Sequence, residues 1–78
     1  MTDQELVQAI ARGDQAAFEA FISRFHGPLL GYIERTLGDP VKAEDIVQET
    51  FVRMISQLKQ GRIPDHIGAW LYRVASNL

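Results

Sequence analysis

Apolar residues along this chain recur every three or four positions, and the strict alternation of a strand is absent. Thr2 with Glu5 three residues later fits a capping box. It opens a short helix that carries Leu6, Val7 and Ile10 on one face. Gly13 ends that helix, and Asp14 can cap the next. The second pattern is the longest: Phe18, Phe21, Ile22, Phe25, Leu29, Ile33 and Leu37 follow one another in helical steps. Gly27-Pro28 interrupts it, and a proline inside a helix removes one hydrogen bond and bends the axis. The stripe stays in phase beyond the proline, which predicts a kink rather than a stop, with Gly38 closing the helix.

Asp39-Pro40 reads as an N-cap followed by proline at the first helical position. A third helix is predicted over residues 40–59, burying Val47, Phe51, Met54, Ile55 and Leu58. Asp45, Gln48, Glu49, Val52, Arg53 and Ser56 lie off that stripe. Residues 60–65 form a turn-rich connector. Asp65 is placed to cap a fourth helix from about His66, whose apolar set is Ile67, Trp70, Leu71, Val74 and Leu78. Four helices with short connections predict an all-α bundle in one domain over residues 1–78. Nothing after Leu78 ends the fourth helix, so the chain reads as a fragment of a longer protein.

Composition narrows the function more by exclusion than by indication. With 78 residues and 46% hydrophobic positions, one thin core is expected. The chain has no cysteine, which removes disulfides, thiolate metal sites and thiol nucleophiles, and fits a reducing cytoplasm. It has no apolar run long enough to span a membrane, and Met1 to Leu6 lack the basic start of a secretory signal. His26 and His66 are far apart and read as surface or helix-end residues, outside any metal-ligand spacing. Glu44-Asp45 suits the dipole at a helix start better than acid-base chemistry. Ser23, Ser56 and Ser76 have no histidine partner. An enzyme is therefore not expected, and no cofactor is implied.

The net charge of −2 is unevenly spread. Residues 1–58 hold nine acids and five bases, a balance of −4, whereas residues 59–78 hold Lys59, Arg62 and Arg73 against Asp65, a balance of +2. A solvated face explains this as well as phosphate binding does.

Two segments in order are more telling. Ala43-Glu44-Asp45-Ile46-Val47-Gln48-Glu49-Thr50-Phe51 and Ala69-Trp70-Leu71-Tyr72-Arg73-Val74-Ala75-Ser76-Asn77 together resemble region 2 of bacterial sigma factors of the extracytoplasmic-function type, within the sigma-70 family. The pattern from Asp14 to Asp39 is similar to that family's opening long helix. The resemblance implies a small helical bundle of the sigma region 2 type. It implies that Asp45, Gln48, Glu49 and Arg53 dock on the coiled-coil of the β′ subunit of RNA polymerase. Independently, their spacing puts these four residues on one face, away from Phe51. The resemblance also implies that the connector and fourth helix hold the non-template strand of the promoter −10 element with a base flipped out. Lys59, Arg62, His66, Arg73 and Asn77 are the candidate contacts. Arginine can neutralise phosphate, and an asparagine amide can bond a base edge. Trp70, in phase with Ile67, Leu71 and Val74, is expected in the core, and Tyr72 on the surface. The family's acidic and arginine-rich continuation, and its −35-reading domain, lie outside this sequence. Such proteins are often held inactive by an anti-sigma factor that covers the same faces.

The competing expectation is a helical protein-protein interaction domain of a transcription regulator, without direct DNA contact. The two differ in the last quarter of the chain. A DNA-contacting module should gather Arg62, Arg73 and Asn77 on one open face beside a concave loop; a protein-only bundle could scatter them.

Overall fold

The computed structural model describes residues 1–78 as four helices without a strand: α1 (Asp3–Ala11), α2 (Gln15–Leu37), α3 (Pro40–Lys59) and α4 (Ile67–Ser76). Local chemistry sets most of the boundaries. The Thr2 hydroxyl accepts from the Glu5 N–H at 3.1 Å, and the Thr2 N–H donates to the Glu5 carboxylate at 2.8 Å. Asp14 accepts from the Ala17 N–H at 3.0 Å, and Asp39 from the Lys42 N–H at 3.1 Å. Each such cap satisfies an N–H that the helix itself leaves unpaired. Gly38 closes α2 at φ +72°, its N–H donating to the Glu34 carbonyl at 2.8 Å. A left-handed residue there is what glycine permits at least cost.

Helix α2 runs unbroken through Gly27-Pro28. The proline ring would collide with a Cβ on the preceding residue in a helical conformation. Gly27 has none, and both residues are exposed, so the helix continues.

The fourth helix departs from expectation at its start. Asp65 does not cap it; the N-cap position is His66, and no side chain bonds there. With the helix starting at Ile67, Asp65 lies one residue before the capping position. Its last helical residue is Ser76, and the side-chain amide of Asn77 donates to the Arg73 carbonyl at 3.0 Å.

The core is one cluster of sixteen apolar residues together with the buried Thr50. Phe21 is fully buried, stacks on Phe25 with ring centroids 4.6 Å apart, and meets Phe51 edge-on at 6.4 Å. Val47, Phe51, Met54 and Leu58 are buried as their spacing predicts, while Ile55, Trp70 and Val74 are half-buried. Leu37 and Leu78 are exposed, contrary to expectation. Leu37 is the last residue of α2, just ahead of the turn at Gly38 and Asp39 that leads into α3. Tyr72 is half-buried rather than exposed. Helix α4 packs on all three other helices, and its Gly68–Tyr72 side faces α2, where Tyr72 meets Tyr32 edge-on at 5.1 Å. His26, expected on the surface or at a helix end, sits within α2, partly exposed, and hydrogen-bonds Glu44 of α3 at 3.0 Å. Thr50, which the apolar stripe passes over, donates its hydroxyl to the Ile46 carbonyl at 2.8 Å, so its burial leaves nothing unpaired.

Packing and capping set expectations for four variants. Phe51→Ala removes a ring that is 7% exposed and should cost about 3–5 kcal/mol, read by urea denaturation. That matches the entire stability of a domain this small, so the variant should be largely unfolded. Gly68→Ala should raise stability by about 0.5–1 kcal/mol, because helix propensity improves and the new Cβ meets Phe25 at an ordinary 3.6 Å. Gly27→Ala, in open space but ahead of Pro28, should bring no such gain when the two glycine variants are compared in thermal melts. The Thr2 backbone N–H, and then its hydroxyl, hold the Glu5 carboxyl below its ordinary 4.5. The advantage of the wild type over Glu5→Ala should therefore be complete above pH 4.5 and fade as pH falls through the lowered value.

Candidate functional site

Two surfaces carry the candidate residues. The first is the outer side of α3. Asp45, Gln48, Glu49 and Arg53 are all exposed there, in successive turns of one helix face. Glu49 accepts from Arg53 Nε at 3.2 Å, an i,i+4 pair with both side chains about half exposed. Such a pair contributes only about 0.3–0.5 kcal/mol, so either partner is available to another molecule. Val52, on the same side, is 61% exposed. With Phe18, Phe51 and Ile55 it lines a wholly apolar hollow of about 220 Å³ beside the charged strip. Spacing alone sets Val52 off the buried stripe without disclosing the hollow. Its one sequence signal is a β-branched apolar residue among charges. The surface thus combines an acid-rich strip with an apolar margin, as a helical partner with basic and apolar side chains requires.

The second surface lies where the connector meets α4. Gln57 at the end of α3, Arg62 and Pro64 in the connector, and His66, Trp70 and Arg73 along α4 surround an open groove of about 450 Å³. The connector begins at Gly61, φ +79°, whose turn sends the chain back across the end of α3 and so brings Arg62 towards α4. His66, Trp70 and Arg73 share the groove because they are three and four residues apart. Asp65 is its one acid. The groove is therefore cationic, with an indole in its wall.

Of the five candidate nucleic-acid contacts, Arg62, His66 and Arg73 come together here. Asn77 follows Arg73 by one turn on the same side of α4, exposed but outside the groove, with its amide engaged at the helix end. Lys59 lies in a different hollow, with Ile10, Asp14 and Phe18 near the junction of α1 and α2. Trp70 was expected in the core; it is half-buried, packed against the core on one side and lining the groove on the other. A further groove of about 360 Å³ adjoins the first, sharing Gln57, Arg62 and Trp70 and adding Arg53, Ser56 and Val74. No group of histidines and acids fit to hold a metal ion is present, and no helix is long and apolar enough to cross a membrane.

Comparison with known proteins identifies the family. Residues 21–78 match the family described as Sigma-70 region 2. The RNA polymerase sigma-H factor of Pseudomonas aeruginosa is 36% identical over 75 residues, 96% of this chain and 39% of that protein. The ECF RNA polymerase sigma-E factor of Escherichia coli is 34% identical over 79 aligned residues, covering 99% of this chain and 40% of its own. The ECF RNA polymerase sigma factor SigW of Bacillus subtilis is 32% identical over 78 residues, covering 100% and 42%. The chain thus spans about two-fifths of the length of these relatives. No solved structure matches.

Proposed function

Because this chain belongs to the Sigma-70 region 2 family, we propose that it is the part of a transcription initiation factor that grips RNA polymerase and opens the promoter −10 element. The strip of Asp45, Gln48, Glu49 and Arg53 docks on the β′ coiled-coil. Its carboxylates favour a basic partner, steering the encounter and setting register more than they add affinity. The groove of Arg62, His66 and Arg73 receives the non-template strand. There the guanidinium groups meet phosphate, and the groove offsets the few kcal/mol that an unstacked base costs. The polymerising chemistry belongs to the polymerase, and this chain contributes binding alone. An anti-sigma factor that covered the α3 strip would block docking.

The observation that carries this reading is the gathering of Arg62, His66 and Arg73 around one open groove. A bundle that met only proteins could have scattered these cations. The net charge of −2 agrees with weak DNA binding by the chain on its own.

Docking is tested by titration calorimetry of this chain against the isolated β′ coiled-coil at low and moderate salt. Saturable binding that weakens with salt is expected. Gln48→Ala with Glu49→Ala should weaken it roughly tenfold or more while circular dichroism stays unchanged. Undiminished affinity in the double variant would refute the docking assignment.

A further inference from the structure

Three exposed residues stand in one line along α3, on the side away from the core: Asp45, Val52 and Lys59. Seven residues make nearly two full turns, so each lies almost directly above the last, about 10 Å away. Ala43, Val47, Thr50, Met54 and Leu58, on the opposite side, are buried. The line thus runs from an acid through an apolar residue to a base, with Val52 at its midpoint. Glu49 and Arg53 beside it keep the same order, acid before base. The two acids and two bases cancel, so this face is neutral although the chain carries −2.

A single exposed valine needs no partner to explain it. Here the surroundings of Val52 add two features. It is 61% exposed and stands at the edge of the apolar hollow that it lines with Phe18, Phe51 and Ile55. A knob and a hole therefore lie side by side. The charges also change sign across the same point. A surface with both properties is complementary to itself under a two-fold rotation. Turning a second α3 about an axis through Val52 sets the two helices antiparallel. Asp45 then faces Lys59 of the copy at one end, and Lys59 faces its Asp45 at the other. Each Val52 meets the hollow of the opposite chain. A uniformly basic partner satisfies only the acid half of the line, whereas a second copy satisfies both halves.

We infer that the chain pairs with a second copy of itself through the outer face of α3, as an antiparallel two-fold dimer centred on Val52. A contact along one helix of 20 residues belongs to the small, transient class of interfaces, so the dimer forms only as the chain becomes concentrated. It covers Asp45, Gln48 and Glu49. On the docking reading given above, on which this one consequence rests, the dimer and polymerase exclude each other.

Sedimentation equilibrium at low salt, from micromolar to millimolar chain, should show reversible exchange between monomer and dimer. Val52→Glu should weaken the dimer roughly tenfold or more. Asp45→Lys and Lys59→Asp each set like charges opposite one another at both ends, and each should weaken it by about as much. Combined in one chain, the two reversals restore opposite charges and should recover most of the association. All three positions are exposed, so circular dichroism should be unchanged throughout. The chain has no cysteine, and Val52→Cys places a single thiol on the axis. Mild oxidation should link its copies at concentrations that leave Gln8→Cys, exposed on α1, mostly monomeric. Adding the isolated β′ coiled-coil should convert the dimer into a one-to-one complex. A monomer over the whole range would overturn the dimer. A dimer indifferent to Val52→Glu and to the charge reversals would remove it from this face. A species holding two chains and the coiled-coil together would overturn the exclusion and leave the dimer standing. A dimer that persists because the coiled-coil does not bind would overturn the docking reading alone.

Discussion

A junction of Phe21, Phe25 and Phe51 links three of the four helices. Phe21 is fully buried on α2, stacked on Phe25 and edge-on to Phe51 of α3. Phe25 in turn approaches α4 closely enough that a Cβ on Gly68 would lie 3.6 Å from its ring. Aromatic pairs of this kind add about 0.5–1.5 kcal/mol each beyond the area they bury. Only 17 of 78 residues are buried, so few other contacts could replace them. Both candidate surfaces are mounted on this aromatic junction. The charged strip is the reverse side of the helix that Phe51 seats, and the groove lies between the end of that helix and α4.

What was legible in the sequence is what depends on near neighbours. A cap involves residues three apart, so Thr2, Asp14 and Asp39 declare their helices; a left-handed glycine likewise marks the end of α2 at Gly38. The exposure of Asp45, Gln48, Glu49 and Arg53 follows from helical period once Phe51 is known to face inward. Features set by where helices end up were hidden. Tyr72 is sheltered because α2 covers a second side of α4. His26 finds Glu44 only when α2 and α3 are laid together. In the candidate groove, the sharing of His66, Trp70 and Arg73 is periodic, whereas the position of Arg62 depends on a connector with no period. Lys59 is close to Arg62 in sequence, yet the last turn of α3 and the turn at Gly61 leave them in different hollows.

The charge of the chain is better understood as two fields than as a sum. The α3 strip carries Asp45 and Glu49 outward, while the groove gathers arginines and a histidine. Arg53 stands where the two meet, paired with Glu49 on one side and lining the second groove on the other. At physiological salt, charges further apart than about 8 Å are largely screened. The fields therefore act locally, and a modest negative total does not prevent an anion from meeting the groove.

The uncapped start of α4 shifts its stability onto packing. The other three helices each begin with a side chain bonded to a backbone N–H; α4 begins at His66 with none. A missing cap forgoes about 1 kcal/mol, so the first turn of α4 is held by Ile67, which is buried. The groove wall that His66 gives therefore stands on a core contact rather than on a cap.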